Sequence, residues 1–198
     1  MPAIVQTAAP AIEPVTLAEA KAHCRIDVTA DDDYVSALIT AARQWCEKRL
    51  GQSFITQTWR LSLDRFPPHC FELPYSPLLA VSSVTYYDEG NALQTLSTSL
   101  YEVDANSRPG RLAPVWGESW PSTYERMNAV AVTYTAGYGS AASDVPAGVK
   151  HAIKLLVGHW YENREASTDA ESKDIPHGVE SLLVPCWHGA CAIAGVFE

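Results

Sequence analysis

The chain is poor in basic residues and has no cluster of them. Fourteen Lys and Arg stand against 23 Asp and Glu in 198 residues, giving a formal net charge of −9. Gripping nucleic acid by counterion release needs Lys and Arg gathered on one surface. The densest local group here is Arg43, Lys48 and Arg49, interrupted by Glu47. A phosphate-binding role is therefore not expected. No apolar run approaches the roughly 20 residues that a bilayer-spanning helix requires. The first residues lack the charged segment and apolar run of a secretory leader, so none is expected. The five cysteines, Cys24, Cys46, Cys70, Cys186 and Cys191, are odd in number and irregular in spacing. Reduced thiols in a cytoplasm are the simplest reading of that pattern.

What is present suits an ordinary globular domain. Hydrophobic residues make up 47% and charged residues 19%, and a chain of this length buries roughly 70% of its unfolded surface without a staple. Residues 1–15 carry three prolines and little pattern, and are read as a flexible N-terminal arm. Thr16-Leu17-Ala18-Glu19 fits a capping box, so a short helix is predicted from Thr16 to near Arg25. A longer helix is predicted over residues 31–50. Asp31, Asp32 and Asp33 suit the positive end of its dipole, Lys48 and Arg49 the negative end, and Gly51 a left-handed cap. Val35, Leu38, Ala42, Trp45 and Arg49 repeat at three or four.

After Gly51 the period changes to two. In FITQTWRLSLD the residues Ile55, Trp59, Leu61 and Leu63 share one parity. VSSVTYYDEGNALQTL predicts a hairpin turning at Asp88-Glu89-Gly90-Asn91, and NAVAVTYTAG places Val130, Val132 and Tyr134 on one face. A last long helix is predicted over residues 146–164, apolar around most of its circumference. The expected fold is α+β. Residues 16–53 and 137–187 form a small helical core of three to four helices. Residues 54–136 form an inserted antiparallel β lobe of about five short strands, and residues 188–198 a tail.

Several groups invite a catalytic or metal-binding reading. VKHAIKLLVGHWYENREA, residues 149–166, holds His151, His159, Glu162 and Glu165. The two histidines are eight apart and do not make an i, i+4 ligand pair. His159 and Glu162 meet at i, i+3, which is half of a carboxylate-bridged centre whose other half no helix supplies. The favoured reading is a packed, hydrogen-bonded His159 with Glu162 and Glu165 in water; a metal-dependent enzyme using His159 and Glu162 is the alternative. Asp31 to Asp33 are read as a charged helix start in preference to a cation site. GYGSAA, residues 137–142, matches a dinucleotide fingerprint, but Ser143-Asp144-Val145-Pro146 delays the helix and no strand follows, so a loop is predicted. CWHGAC, residues 186–191, offers Cys186, His188 and Cys191 but no fourth ligand. No catalytic residue, cofactor or metal is expected.

Taken in order, the blocks EPVTLAEAKAHCRID, DDDYVSALITAARQWCEKRLGQSFITQTW, LPYSPLLAVSSVTYYDEG, SWPST, VTYTAGYG, VPAGVKHAIKLLVGHWYENREA and IPHGVESLLVPCW resemble the head–tail connector (adaptor, head-completion) proteins of tailed bacteriophages and prophages. The resemblance covers about residues 13–187. It implies a non-catalytic structural subunit of the virion neck, made in the host cytoplasm. It also implies self-association into a ring, dodecameric in the virion, beneath the portal protein. That ring extends the DNA channel and seats stopper or tail-completion proteins; DNA passes without sequence-specific binding and no membrane is involved. Another neck or tail-completion component is the nearest alternative. An acidic chain suits a lumen that repels phosphate.

The tail HGACAIAGVFE, beyond the short helix predicted over residues 178–184 and ended by Pro185, is almost all apolar. It is expected to dock on its own subunit, on a ring neighbour or on the portal, with an intermolecular contact favoured; strand addition with Ile193 and Phe197 on one face is one available mode. Trp160, Trp187, Ile193 and Phe197 are the candidate interface residues.

Overall fold

In the computed structural model, which describes residues 2–164 and 177–186, Thr16 opens the first helix with both halves of a capping box. Its Oγ1 accepts the Glu19 N–H at 3.2 Å, and Glu19 Oε2 accepts the Thr16 N–H at 2.8 Å. Helix α1 spans Leu17–Cys24 and ends at Arg25 in the left-handed region. Helix α2 spans Asp32–Leu50 and ends at Gly51, whose φ of 64° a Cβ-free residue adopts without strain. Its buried stripe is Val35, Ile39, Ala42, Cys46 and Leu50. Leu38 and Trp45 flank that stripe, whereas Arg49 is exposed. Helix α3 spans Ala147–Glu162 behind Pro146 and buries Val149, Ala152, Ile153, Leu156 and Val157. Helix α4 spans His177–Leu183, and Pro185 lies in the 3₁₀ turn that follows it. The four helices close on one core with Val15, Phe54 and Ile55.

Among the described residues eight strands form two antiparallel sheets. Strands β1 (Ala3–Ala8), β2 (Gln57–Leu63), β4 (Leu78–Tyr87), β5 (Leu93–Thr95) and β8 (Val130–Ala136) make the larger, in the order β1-β2-β8-β4-β5. Strands β3 (Phe71–Leu73), β6 (Tyr101–Asp104) and β7 (Gly110–Pro114) make the smaller, in the order β3-β7-β6. Alternation decides the inward faces. Leu61, Leu63, Val84, Val130, Val132 and Tyr134 of the larger sheet meet Phe71, Leu73, Tyr101 and Leu112 of the smaller in a second core. Tyr134 is wholly buried and its hydroxyl donates to the Pro74 carbonyl at 2.8 Å. The fold is α+β, as the change of period predicts.

Three details differ from the sequence reading. Residues 3–8 are not part of a flexible arm: they form β1, paired antiparallel with β2 from Ala3 opposite Ser62 to Ala8 opposite Thr58. Pro2 and Pro10 flank this strand without interrupting it, and Val15, at the other end of the supposed arm, is 1% exposed. Residues 54–136 hold seven strands in two sheets instead of about five in one unit. Ile55 precedes β2 and packs in the helical core, apart from Leu61 and Leu63.

Candidate interaction surfaces

The helical core and the β lobe meet at a buried polar seam. Glu47, one turn from the end of α2, is its centre. Glu47 Oε2 accepts from Arg43 Nη1 at 2.6 Å, and Oε1 accepts from the Phe54 N–H at 2.9 Å and from Gln57 Nε2. Gln57 opens β2 and its Oε1 accepts from Gln6 Nε2 on β1. Arg43 Nε donates to Glu13 Oε2 at 2.8 Å, and Thr40 donates to the same carboxylate at 3.0 Å. Burial pushes the Glu47 carboxyl above the ordinary range, against the pull of Arg43 and of the two amide donors. Burial works against the Arg43 charge as well, but Glu47 and Glu13 outweigh it and hold the guanidinium above its usual value. Sequence reading missed this seam because Arg43 and Glu47 at i, i+4 look like any exposed helix pair; only the tertiary fold buries them.

The residues singled out for chemistry do not converge. His159 is half-buried, and its Nδ1 lies 3.5 Å from the Asn163 side-chain amide, a contact at the limit of a hydrogen bond. Glu162 is exposed. His151 stands edge-on to His23 of α1, with ring centroids 5.6 Å apart. Asp31 accepts from the Tyr161 hydroxyl at 2.6 Å and from Arg164 Nη2 at 2.9 Å, while Asp32 pairs with Lys21. Those aspartates fasten the start of α2 to its neighbours. Among the described residues no group of three or more His, Cys, Asp or Glu is placed to hold a metal ion. Cys186 is partly buried, which pushes its thiol up, and its carbonyl accepts from Gln52 Nε2 at 2.6 Å. Trp160 is half-buried against the helical core. Glu165, Trp187, His188, Cys191, Ile193 and Phe197 lie outside the described residues.

GYGSAA is a loop, and the geometry explains its first glycine. A Cβ on Gly137 would lie 2.7 Å from the Thr56 backbone nitrogen and 2.8 Å from the Ile55 carbonyl carbon. The glycine admits a crossing chain, where a dinucleotide site would admit a phosphate.

Surface features are concentrated on the β lobe. Trp116 is 96% exposed on a turn closed by a Glu118 N–H to Val115 carbonyl bond of 2.9 Å. The Val115 N–H donates to the Leu100 carbonyl, which sets that turn beside β6, where Leu100 and Val103 are also exposed. Leu93 and Met127 are exposed on other loops and edges of the lobe. The outer face of the larger sheet carries Thr58, Ser62, Ser83, Thr85, Thr133 and Thr135 around Arg60. Among the described residues no helix is long and apolar enough to cross a membrane.

Solved structures share this layout over nearly the whole chain. A chain in the neck of an empty gene transfer agent particle, computed with C6 symmetry, superimposes with a TM-score of 0.77 at 22% identity, over 92% of this chain and 94% of that one. A chain of the native gene transfer agent virion gives 0.77 at 22%, over 93% and 94%. A chain of the native particle's neck, computed with C12 symmetry, gives 0.69 at 21%, over 91% and 94%. No curated protein sequence matches. The class defined by these likenesses is that of chains with this α+β fold, which the neck and virion chains share. Within it, this chain belongs to the head completion protein family, whose model matches residues 13–173.

Proposed function

We propose that this chain is a head–tail connector subunit that assembles as a ring beneath the portal protein. There it extends the DNA channel and seats the stopper or tail-completion proteins. The observation that carries the reading is the family match over residues 13–173. The C6 and C12 symmetry of the neck structures with the same fold supports a cyclic assembly. A cyclic ring needs two different surfaces on each subunit. The helical core and the β lobe, each built on its own buried core, are the two bodies we assign to those surfaces. A net charge of −9 suits a conduit that repels phosphate.

Residues 16–53 and 137–187 act in this reading as the ring-forming core, with 54–136 as an inserted lobe and 188–198 as an intermolecular tail. Trp160, Trp187, Ile193 and Phe197 are the interface residues we assign to the core and tail. The subunit is made in the host cytoplasm, resides in the virion neck, and its role needs no catalysis. Electron microscopy of the protein mixed with its cognate portal tests the proposal. A ring of density coaxial with the portal is expected; failure to bind at micromolar concentrations overturns it. Deleting residues 189–198 should leave folding intact and weaken that assembly.

A further inference from the structure

We propose that His23 of α1 and His151 of α3 chelate a divalent transition-metal ion of the Zn²⁺ type, which clamps the two helices together. Along the sequence His151 pairs only with His159, eight residues on in the same helix, and that spacing gives no chelate. The fold supplies a different partner. His23 lies in the last turn of α1, and its ring stands edge-on to that of His151, with centroids 5.6 Å apart and planes at 84°. The two helices pack closely here: a Cβ on Gly158 of α3 would lie 3.5 Å from Cys24 Sγ of α1. Ala20 of α1 and Ala152 and Ile153 of α3 are wholly buried, so the backbone holds the two histidines at a fixed spacing. Both imidazoles are exposed, and an ion reaches them without opening the core.

The separation suits a shared ion. Zinc sits about 2.0–2.1 Å from an imidazole nitrogen, hence about 3.2 Å from the ring centroid. Two such rings, at an angle between tetrahedral and trigonal, have centroids about 5.2–5.5 Å apart. The observed separation is greater by only tenths of an ångström, and the χ2 torsions that aim the ring nitrogens are broad. Imidazole selects zinc, copper and nickel over calcium and magnesium, which want carboxylates. Glu19, one turn before His23, is already engaged: its Oε2 accepts the Thr16 N–H at 2.8 Å and the Thr16 hydroxyl at 2.9 Å. Among the described residues no third His, Cys, Asp or Glu completes a ligand set. Water therefore fills the remaining positions, and the ion is exchangeable. Lys150 and Lys154 flank His151 and oppose a cation, but the Glu19 charge interacts with both and offsets them.

The test is calorimetric titration of Zn²⁺ into the chelator-treated full-length protein at about pH 7.5, where free imidazole is mainly neutral. Imidazole NMR identifies the rings that bind. One ion per chain is expected, with the His23 and His151 resonances shifting together and the other histidines unmoved. His23→Ala and His151→Ala should each raise the dissociation constant at least roughly tenfold, because a chelate is lost with either arm. Zn²⁺ should raise the melting temperature of the unmodified protein and slow amide exchange over residues 17–24, and do neither in the variants. Both positions are exposed, so the metal-free variants should melt with the unmodified protein; His151→Gln replaces any variant that fails to fold. No binding up to about 1 mM Zn²⁺ overturns the proposal. Binding lost in one variant but kept in the other marks an adventitious single-histidine contact and overturns it too. So does binding that both variants leave unchanged, the result expected if Cys186, His188 and Cys191 held the ion instead. The site does not depend on the connector reading, which every one of these results leaves standing.

Discussion

The Glu47 carboxylate accepts the Phe54 backbone N–H at 2.9 Å, so a side chain in the last turns of α2 closes the passage from the helical core into the sheet. The same carboxylate holds Arg43, which is 4% exposed. Removing one member of a buried ion pair leaves the other uncompensated. Glu47→Ala should therefore destabilise the protein by roughly 3–5 kcal/mol, read as a lower urea midpoint. Replacing Arg43 and Glu47 together by Met and Leu should cost much less than the two single losses summed. A loss under about 1 kcal/mol for Glu47→Ala would contradict a structural role for the seam.

His159→Ala and Glu162→Gln should each change stability by no more than about 0.5–1 kcal/mol, the scale of partly exposed positions. Neither should alter the metal content of the purified protein. A stoichiometric metal lost in either variant would revive the enzymatic reading. A buried, fully bonded histidine would cost more, but His159 is only half-buried and its side-chain contact reaches 3.5 Å.

Asp31 ties the start of α2 to the end of α3. Hydrogen bonds from Tyr161 and Arg164 hold its carboxyl below the usual carboxylate range. A depressed folded value means that the tie contributes above the unfolded value of 3.8 and is lost as pH falls through the folded one. Amide protection over residues 159–164, relative to the intrinsic exchange rate at each pH, should therefore fall in acid below the ordinary carboxylate range. Asp31→Asn should show at neutral pH the reduced protection that the unmodified protein shows only in acid. Identical acid profiles for the two proteins would sink the assignment.

The local rules read most of the architecture. Thr16 and Glu19 make the box that their spacing predicts, Gly51 ends α2, and Asp88 to Asn91 turn the β4–β5 hairpin. What escaped depends on partners far along the chain. Strand β1 was masked by its flanking prolines, and the partner that reveals it, β2, begins about fifty residues later. The division into two sheets was not legible because alternation assigns faces but not pairings. The Arg43–Glu47 seam has a local spacing with two meanings, and burial alone separates them. The histidine helix misled in the opposite sense, since ionisable residues on one helix say nothing about convergence.

Gly137 is the residue whose smallest change should be felt most at the junction. Its φ of 147° lies where L side chains rarely go. Its N–H donates to the Pro77 carbonyl at 2.9 Å, fixing the chain as it leaves β8. Across from it run Thr56 and Ile55, whose backbone nitrogen and carbonyl carbon would stand 2.7 and 2.8 Å from an added Cβ. A flexible side chain moves aside cheaply, but these are main-chain atoms. Thr56 donates its N–H to the Gly139 carbonyl at 2.9 Å, and Tyr138 donates to the Phe54 carbonyl at 3.0 Å. Pushing the two segments apart therefore strains both bonds. Gly137→Ala should cost on the order of 2–4 kcal/mol, the sum of a strained φ and a forced backbone shift. Gly51→Ala is the control. Its φ is also positive, but nothing lies within 4 Å of an added Cβ, so only the conformational penalty applies. Urea denaturation of the two variants side by side should place Gly137→Ala clearly below Gly51→Ala; equal losses would mean that the crossing is loose enough to yield.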